Sequence, residues 1–280
     1  MAGSLSLRRR IDRKLPRVVK ATGQWARVVT TGRRPSTRVV FVVGSQRSGT
    51  RLPLEILDHS PDIATFSEGT SPFFDDVLLQ PLDRIEVLLR RSPAPVVVLK
   101  PICETHRIVE LLERFSRSNG IWIFRNYQDA VNSASAKWSS GRDALARLAA
   151  GTVTWRAGGL GPDKLELVKR LYRPDMTEHE ANAVMWYLRN GLFFDLHADG
   201  RPDILFVRYE DLIEHPQPQI ARLFDFIGVP VPASSVAAIQ IRRTSSRRFP
   251  EIAADIRTLC EGLQNRLLAR YRSEVAAVRP

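Results

Sequence analysis

The sequence predicts an α/β fold with a central parallel sheet flanked by helices. Four short runs, residues 39–43, 95–99, 121–124 and 204–207, are continuously apolar and rich in β-branched and aromatic side chains. Such runs suit strands buried on both faces. Stretches with helical spacing separate them, which is the pattern of strand–helix–strand units. The runs also end on Gly44, Lys100, Arg125 and Arg208, so polar groups collect at the carboxyl ends of the strands. Open α/β sheets bind their ligands at that edge.

The elements follow in order. The first strand stops at Gly44, and a helix is predicted over 50–58. The short apolar stretch Ile63-Ala64-Thr65 reads as another strand end, just before Glu68. After Lys100 a helix is predicted over 105–117, and after Arg125 another over 128–138. Residues 139–162 are richer in glycine and read as a mobile loop over the site. Helical patterns fill 163–172, 178–198 and 217–227, and a last helix is predicted over 251–270. No repeat or low-complexity linker splits the chain. It divides into a basic N-terminal extension, 1–36, and one domain, 37–280.

Composition narrows the class. The 280 residues are 44% hydrophobic, 26% charged and 8% aromatic, which fits a globular protein and excludes collagen, coiled coil and disorder. The longest clean apolar run, 39–43, falls far short of the roughly 20 residues a membrane-spanning helix needs. Cys103 and Cys260 are isolated, with no disulfide or zinc spacing, so no metal is expected and the chain is expected to be cytoplasmic. The net charge of +12 is uneven. Residues 1–34 hold ten Lys and Arg against Asp12 alone, a net +9, whereas the remaining 246 residues carry only +3. A specific nucleic-acid role for the body is not implied. The mixture of basic and apolar residues in 1–34 suits peripheral contact with an anionic membrane or a polyanion, or a solvated helix. Nothing in the sequence speaks to oligomeric state.

The densest chemistry lies in Gly44-Ser45-Gln46-Arg47-Ser48-Gly49-Thr50-Arg51. It follows a strand and opens a helix, so its amides turn inward and the helix end adds positive potential. The two glycines admit a close phosphate, Ser48 and Thr50 add hydroxyls, and Arg47 adds charge. The Gly-x4-Gly spacing resembles a Walker A loop, but Thr50 replaces the lysine and Arg51 the magnesium-binding hydroxyl. The loop therefore suits one terminal phosphate-like group gripped without metal.

GSQRSGT after a hydrophobic strand resembles the 5′-phosphosulfate loop of sulfotransferases that use 3′-phosphoadenosine 5′-phosphosulfate (PAPS), in the form found in bacterial and tyrosylprotein members. The resemblance implies their P-loop NTPase-like fold. A second motif agrees. The family's 3′-phosphate pair is an Arg after a strand with a Ser eight residues on, matched by Arg125 and Ser133. Tyr127 stands where the family usually has proline. Residues 207–212 resemble a late strand–helix junction and read as structural. Residues 242–248 resemble the basic, Ser-rich segment that closes over the cofactor, which places Arg243 and Ser245 among the binding candidates.

Sulfuryl transfer needs a base for the acceptor proton and a cation for the charge on the sulfonate and the leaving oxygen. The resemblance makes Glu68 the base, with His106 as its competitor. Lys100 is the first cation and Arg47 the second. His59 reads as structural. Trp138, Trp155, Trp186, Phe193, Asp75 and Asp76 belong either to the acceptor pocket or to the core. The expected reaction moves a sulfuryl group from PAPS to a hydroxyl of a carbohydrate, a glycolipid, a small metabolite or a protein tyrosine. Two other classes stay open: a P-loop nucleotide or small-molecule kinase, and a non-catalytic polyanion-binding protein led by the basic N-terminus.

Overall fold

The computed structural model describes residues 19–69, 71–152, 155–232 and 248–278. Five parallel strands form the sheet: β1 (Arg38–Gly44), β2 (Ile63–Ser67), β5 (Val96–Lys100), β6 (Ser118–Phe124) and β7 (Ile204–Arg208), in the order β2-β5-β1-β6-β7. The small antiparallel pair β3 (Phe74–Asp75) and β4 (Leu78–Leu79) stands apart.

The apolar runs divide between the two faces of the sheet. Val39, Phe41, Val43, Leu99, Trp122 and Phe206 point into one core, while Val40, Val42, Val98, Ile123 and Val207 point into the other. Alternate residues are thus apolar on both sides, the condition that produced the continuous runs. The first core is covered by α4 (Ile108–Arg114), α5 (Tyr127–Ser135), α8 (Glu178–Asp195) and α11 (Ala254–Val278). The second is covered by α2 (Arg51–Leu57) and α10 (Pro216–Phe226). Phe193 stacks on Phe206 with centroids 4.0 Å apart, so this aromatic belongs to the core and not to a pocket.

Several expectations change. The helix expected over 105–117 begins as a 3₁₀ turn, Ile102–Arg107, before α4. The stretch 139–162 is not a plain loop, because it holds α6 (Gly141–Ala149) and a 3₁₀ turn at Trp155–Ala157. Leu145 and Leu148 of α6 are buried at helical spacing, a signal that the neighbouring glycines masked. The last helix runs to Val278 and buries Ile256, Cys260, Leu263, Leu267 and Tyr271. Two helices have no counterpart among the predicted elements: α1 (residues 19–31) and α3 (Leu82–Arg91), although α3 is amphipathic and buries Ile85 and Leu89 one turn apart. Helices α7 (Pro162–Leu171) and α9 (Tyr209–Glu214) complete the set among the described residues. Helix α1 packs on the body through Lys20 to Asp58 and Arg27 to Asp62, both 2.6 Å.

Strand register sets the site. Ser67 pairs with Lys100, so the next residue, Glu68, emerges beside Lys100. Gly44 pairs with Ile123, which brings the loop after β1 alongside Arg125.

Candidate active site

The loop after β1 is built around two backbone demands. Gly44 has φ +140°, and a Cβ there would meet the Ile123 carbonyl oxygen at 2.3 Å. Gly49 has φ +83°, and its Cβ would meet the Tyr209 ring at 2.0 Å. Between them Arg47 holds φ 66°, a left-handed conformation that a non-glycine residue adopts only under constraint. The Ser45 and Ser48 hydroxyls are 2.5 Å apart, and both residues are buried. Thr105 clamps the loop's start, because its hydroxyl donates to the Gly44 carbonyl at 2.8 Å and accepts from the Gly44 amide at 3.3 Å.

Arg47 reaches across to α5, where Nε and Nη2 donate to the Ser133 hydroxyl at 3.0 and 2.8 Å. Arg125 donates to the Arg47 carbonyl at 3.5 Å, and its guanidinium lies 4.6 Å from the Tyr209 ring centroid. The three residues named from two separate motifs therefore meet. Burial, and then the neighbouring Arg125 charge, push the Arg47 pKa below its ordinary value. A cluster with two arginines and a hydroxyl is an anion cradle. Gly49 and Arg125 both rest on Tyr209, so the junction read as structural also supports the cradle. Beside it Glu210, buried and with its pKa raised by that burial, accepts from the Asn126 amide at 2.9 Å.

The departure at Tyr127 has a direct explanation. Its backbone N–H donates to the Gln264 side chain on α11 at 2.8 Å, a bond that proline could not make. Asn126 caps α5 by accepting from the Gln128 and Asp129 amides.

On the other side, Lys100 Nζ donates to Glu68 Oε2 at 2.7 Å, and the Cys103 amide donates to Oε1 at 3.1 Å. The two side chains keep 13% and 18% of their exposure, so they are sheltered yet reachable. The Cys103 thiol is pushed up to about 12 by burial and then by the Glu68 charge, which keeps it neutral. Glu68, Lys100, Arg47, Ser45, Gln46 and Thr50 all line one cavity of about 1090 Å³. Trp138, Trp155 and Trp186 also line it, whereas Asp75 and Asp76 do not.

His106 is absent from that wall. Its ring packs under Gly158, where a Cβ would meet it at 2.4 Å, and burial lowers its pKa. Of the two base candidates, Glu68 lines the cavity and His106 does not. His59, read as structural, is exposed on the cavity rim. Arg51 lines the cavity but pairs with Glu55 at 2.7 Å. Arg243 and Ser245 lie outside the described residues. Cys103, Arg156 and Arg189 were missed by sequence reasoning; single residues without a motif gave no signal that could have found them.

A family model described as the sulfotransferase domain matches residues 37–249. The chain belongs to the sulfotransferase family. This sulfotransferase therefore transfers a sulfuryl group from PAPS, and the kinase and non-catalytic readings give way to it. Among solved structures, it resembles the sulfotransferase domain from the curacin biosynthetic pathway at 14% identity and a TM-score of 0.54, covering 83% of this chain and 98% of that one. It also resembles the sulfotransferase domain of the Synechococcus PCC 7002 olefin synthase at 15% identity and a TM-score of 0.52, covering 83% and 96%. At such identity these likenesses show the fold alone. No curated protein matches the sequence significantly.

The cradle fits the donor. Gln46 Nε2 and Arg125 Nε are buried without a hydrogen-bond partner, and both belong to the phosphate-facing motifs. Buried polar groups are rarely left so unless a ligand or water completes them.

Proposed function

We propose that this sulfotransferase sulfates an acceptor hydroxyl with Glu68 as general base, and that the Glu68–Lys100 pair at 2.7 Å on the cavity wall carries the assignment. PAPS, when bound, supplies an activated sulfuryl group on a phosphate leaving group. Each Glu68 oxygen accepts one protein hydrogen bond and keeps a lone pair for the acceptor O–H. Lys100 Nζ, anchored by Glu68, supplies positive charge where the sulfonate and bridging oxygens become more negative. Arg47 adds a second cation from the loop. Ser133 accepts from Arg47, which leaves its own proton free to donate, and Arg125 supplies the neighbouring fork. Together they hold the 3′-phosphate. The backbone of 44–50, with Ser48 and Thr50, holds the 5′ end.

The test is transfer of labelled sulfur from PAPS to a panel of sugar, lipid, phenol and peptide hydroxyls. The proposal expects a sulfated product without added metal. Phosphoryl transfer from Mg·ATP in its place would overturn it.

We further propose that the enzyme is cytoplasmic and rests on an anionic membrane through its N-terminal segment. Residues 1–34 carry +9. Helix α1 leaves Trp25 and Val29, one turn apart, exposed at 42% and 78%, and the Arg34 guanidinium lies 5.2 Å from the Trp25 ring centroid. Tryptophan and basic residues on one surface suit the headgroup region. Asp58, to which Lys20 ties α1, lines the cavity, so contact there would put the opening near the lipid. Co-sedimentation with phosphatidylserine vesicles, lost with phosphatidylcholine and in Trp25→Asp, is expected. Equal recovery with both lipids would refute the contact.

A further inference from the structure

Arg189 of α8 is 1% exposed, the least exposed charged side chain among the described residues. Its Nη2 donates to the Ile102 carbonyl at 3.0 Å, while Nε and Nη1 have no partner. Among the described residues no carboxylate lies within ion-pair distance of it. The nearby acids are committed elsewhere. Glu68 holds Lys100 and the Cys103 amide, and Glu104 holds Arg107 and the Leu79 amide. A buried guanidinium with open donors and no counter-charge is costly unless something anionic completes it.

The surroundings say where that anion comes from. The Arg189 guanidinium is 5.8 Å from the Trp155 ring centroid, and the Arg156 guanidinium is 4.3 Å from the same ring. Ile102, Cys103, Trp155 and Arg156 all line the cavity, so Arg189 stands immediately behind its wall. Burial lowers the pKa of both arginines, Arg189 to about 10, which still leaves it charged at neutral pH. Cys103, whose amide holds Glu68, and Ile102, whose carbonyl holds Arg189, are adjacent on the cavity wall, so base and buried cation are separated by one residue step.

We propose that Arg189 and Arg156, with Trp155, form an acceptor subsite for an oxyanion, either a carboxylate or a phosphate, carried by the molecule whose hydroxyl is sulfated. This rests on the reading under Proposed function. The acceptor's hydroxyl faces Glu68 and its anion faces the arginine pair. Separation of the two keeps the anion away from the general base.

The test uses the full chain saturated with the desulfated donor product, 3′-phosphoadenosine 5′-phosphate (PAP). Phenylacetate, phenyl phosphate and phenylacetamide are each titrated against tryptophan fluorescence. At least one anion is expected to bind ten-fold or more tightly than the neutral amide, and the tighter of the two names the oxyanion. Arg189→Met and Arg156→Gln should each abolish that preference with PAP affinity unchanged. If Arg189→Met does not fold, Arg156→Gln decides alone. Equal binding of anion and amide, no binding of either, or a preference that survives in the variants overturns the subsite; survival would place the anion at the sulfonate position instead. Failure of wild-type protein to bind PAP at all would count against the donor reading, separately from this one.

Discussion

On the β1–β6 side, the polar groups of the anion cradle come from one loop of seven residues, part of which lines the cavity, and from one strand end with the helix that follows it. On the β2–β5 side they come from Glu68, Lys100, Cys103, Trp155 and Arg156, with Arg189 buried behind them, residues scattered over more than a hundred positions. The first side is largely backbone and is constrained by Gly44, Arg47 and Gly49 in positive-φ conformations. The second is side chain, and behind it the buried Arg189 keeps two donors without a partner. The contrast follows from the ligands. A donor shared by a whole family permits one rigid cradle, while an acceptor held as proposed, by side chains, can change without disturbing the sheet.

The strongest way to break this division is Glu68→Gln. On the proposed mechanism it removes the base and leaves the cradle, so turnover should fall by roughly 10²–10⁴ while PAP affinity stays within error. Paired initial rates and calorimetric titrations measure both, and a parallel loss of PAP affinity would mean the two sides are not separate. The reciprocal change, Arg125→Ala, acts on the donor side. Charge-assisted hydrogen bonds contribute about 1.5–3 kcal/mol each, so PAP should bind at least ~10-fold more weakly, with neutral nucleosides unaffected.

Gly49→Ala tests the backbone constraint. A Cβ at φ +83° directed into Tyr209 should lower stability by about 2 kcal/mol or more, read as a lower midpoint in chemical denaturation. An unchanged midpoint would show that Tyr209 is free to move. His106→Gln should have the smallest effect. Burial holds the folded His106 pKa below its ordinary value near 6.5, so the unfolded chain takes up the proton first as pH falls. Wild-type stability should therefore drop from pH 6.5 downward toward the folded pKa, and the variant should lose less over that window. Its turnover at neutral pH should stay near wild type, whereas a large loss would return His106 to the chemistry.

Legibility in the sequence follows the same division. The sheet was readable because both faces of β1, β5, β6 and β7 are buried, which leaves unbroken apolar runs. The donor cradle was readable because Gly44, Arg47 and Gly49 are contiguous and Ser133 follows Arg125 at fixed spacing. The Glu68–Lys100 pair was named residue by residue, but its contact depends on the Ser67–Lys100 register, which no local pattern encodes. Helix α6 was hidden by glycines on either side, and α1 by Gly23 and its β-branched residues, which are weak helix formers. Arg189 sits within α8 and has no sequence feature that distinguishes it from a solvated arginine. Only the packing of the 3₁₀ turn at Ile102–Arg107 against that helix reveals its burial.

The most direct measurement is a thermal-shift titration with PAP, ADP and ATP, each with and without magnesium, on wild-type protein and Arg125→Ala. At a hundred-fold excess over Kd, a specific ligand should add about 2.7 kcal/mol of stability. The account predicts a metal-independent shift for PAP that exceeds that of ADP and is lost in Arg125→Ala. A shift confined to ATP with magnesium, or a PAP shift that Arg125→Ala leaves intact, would contradict it.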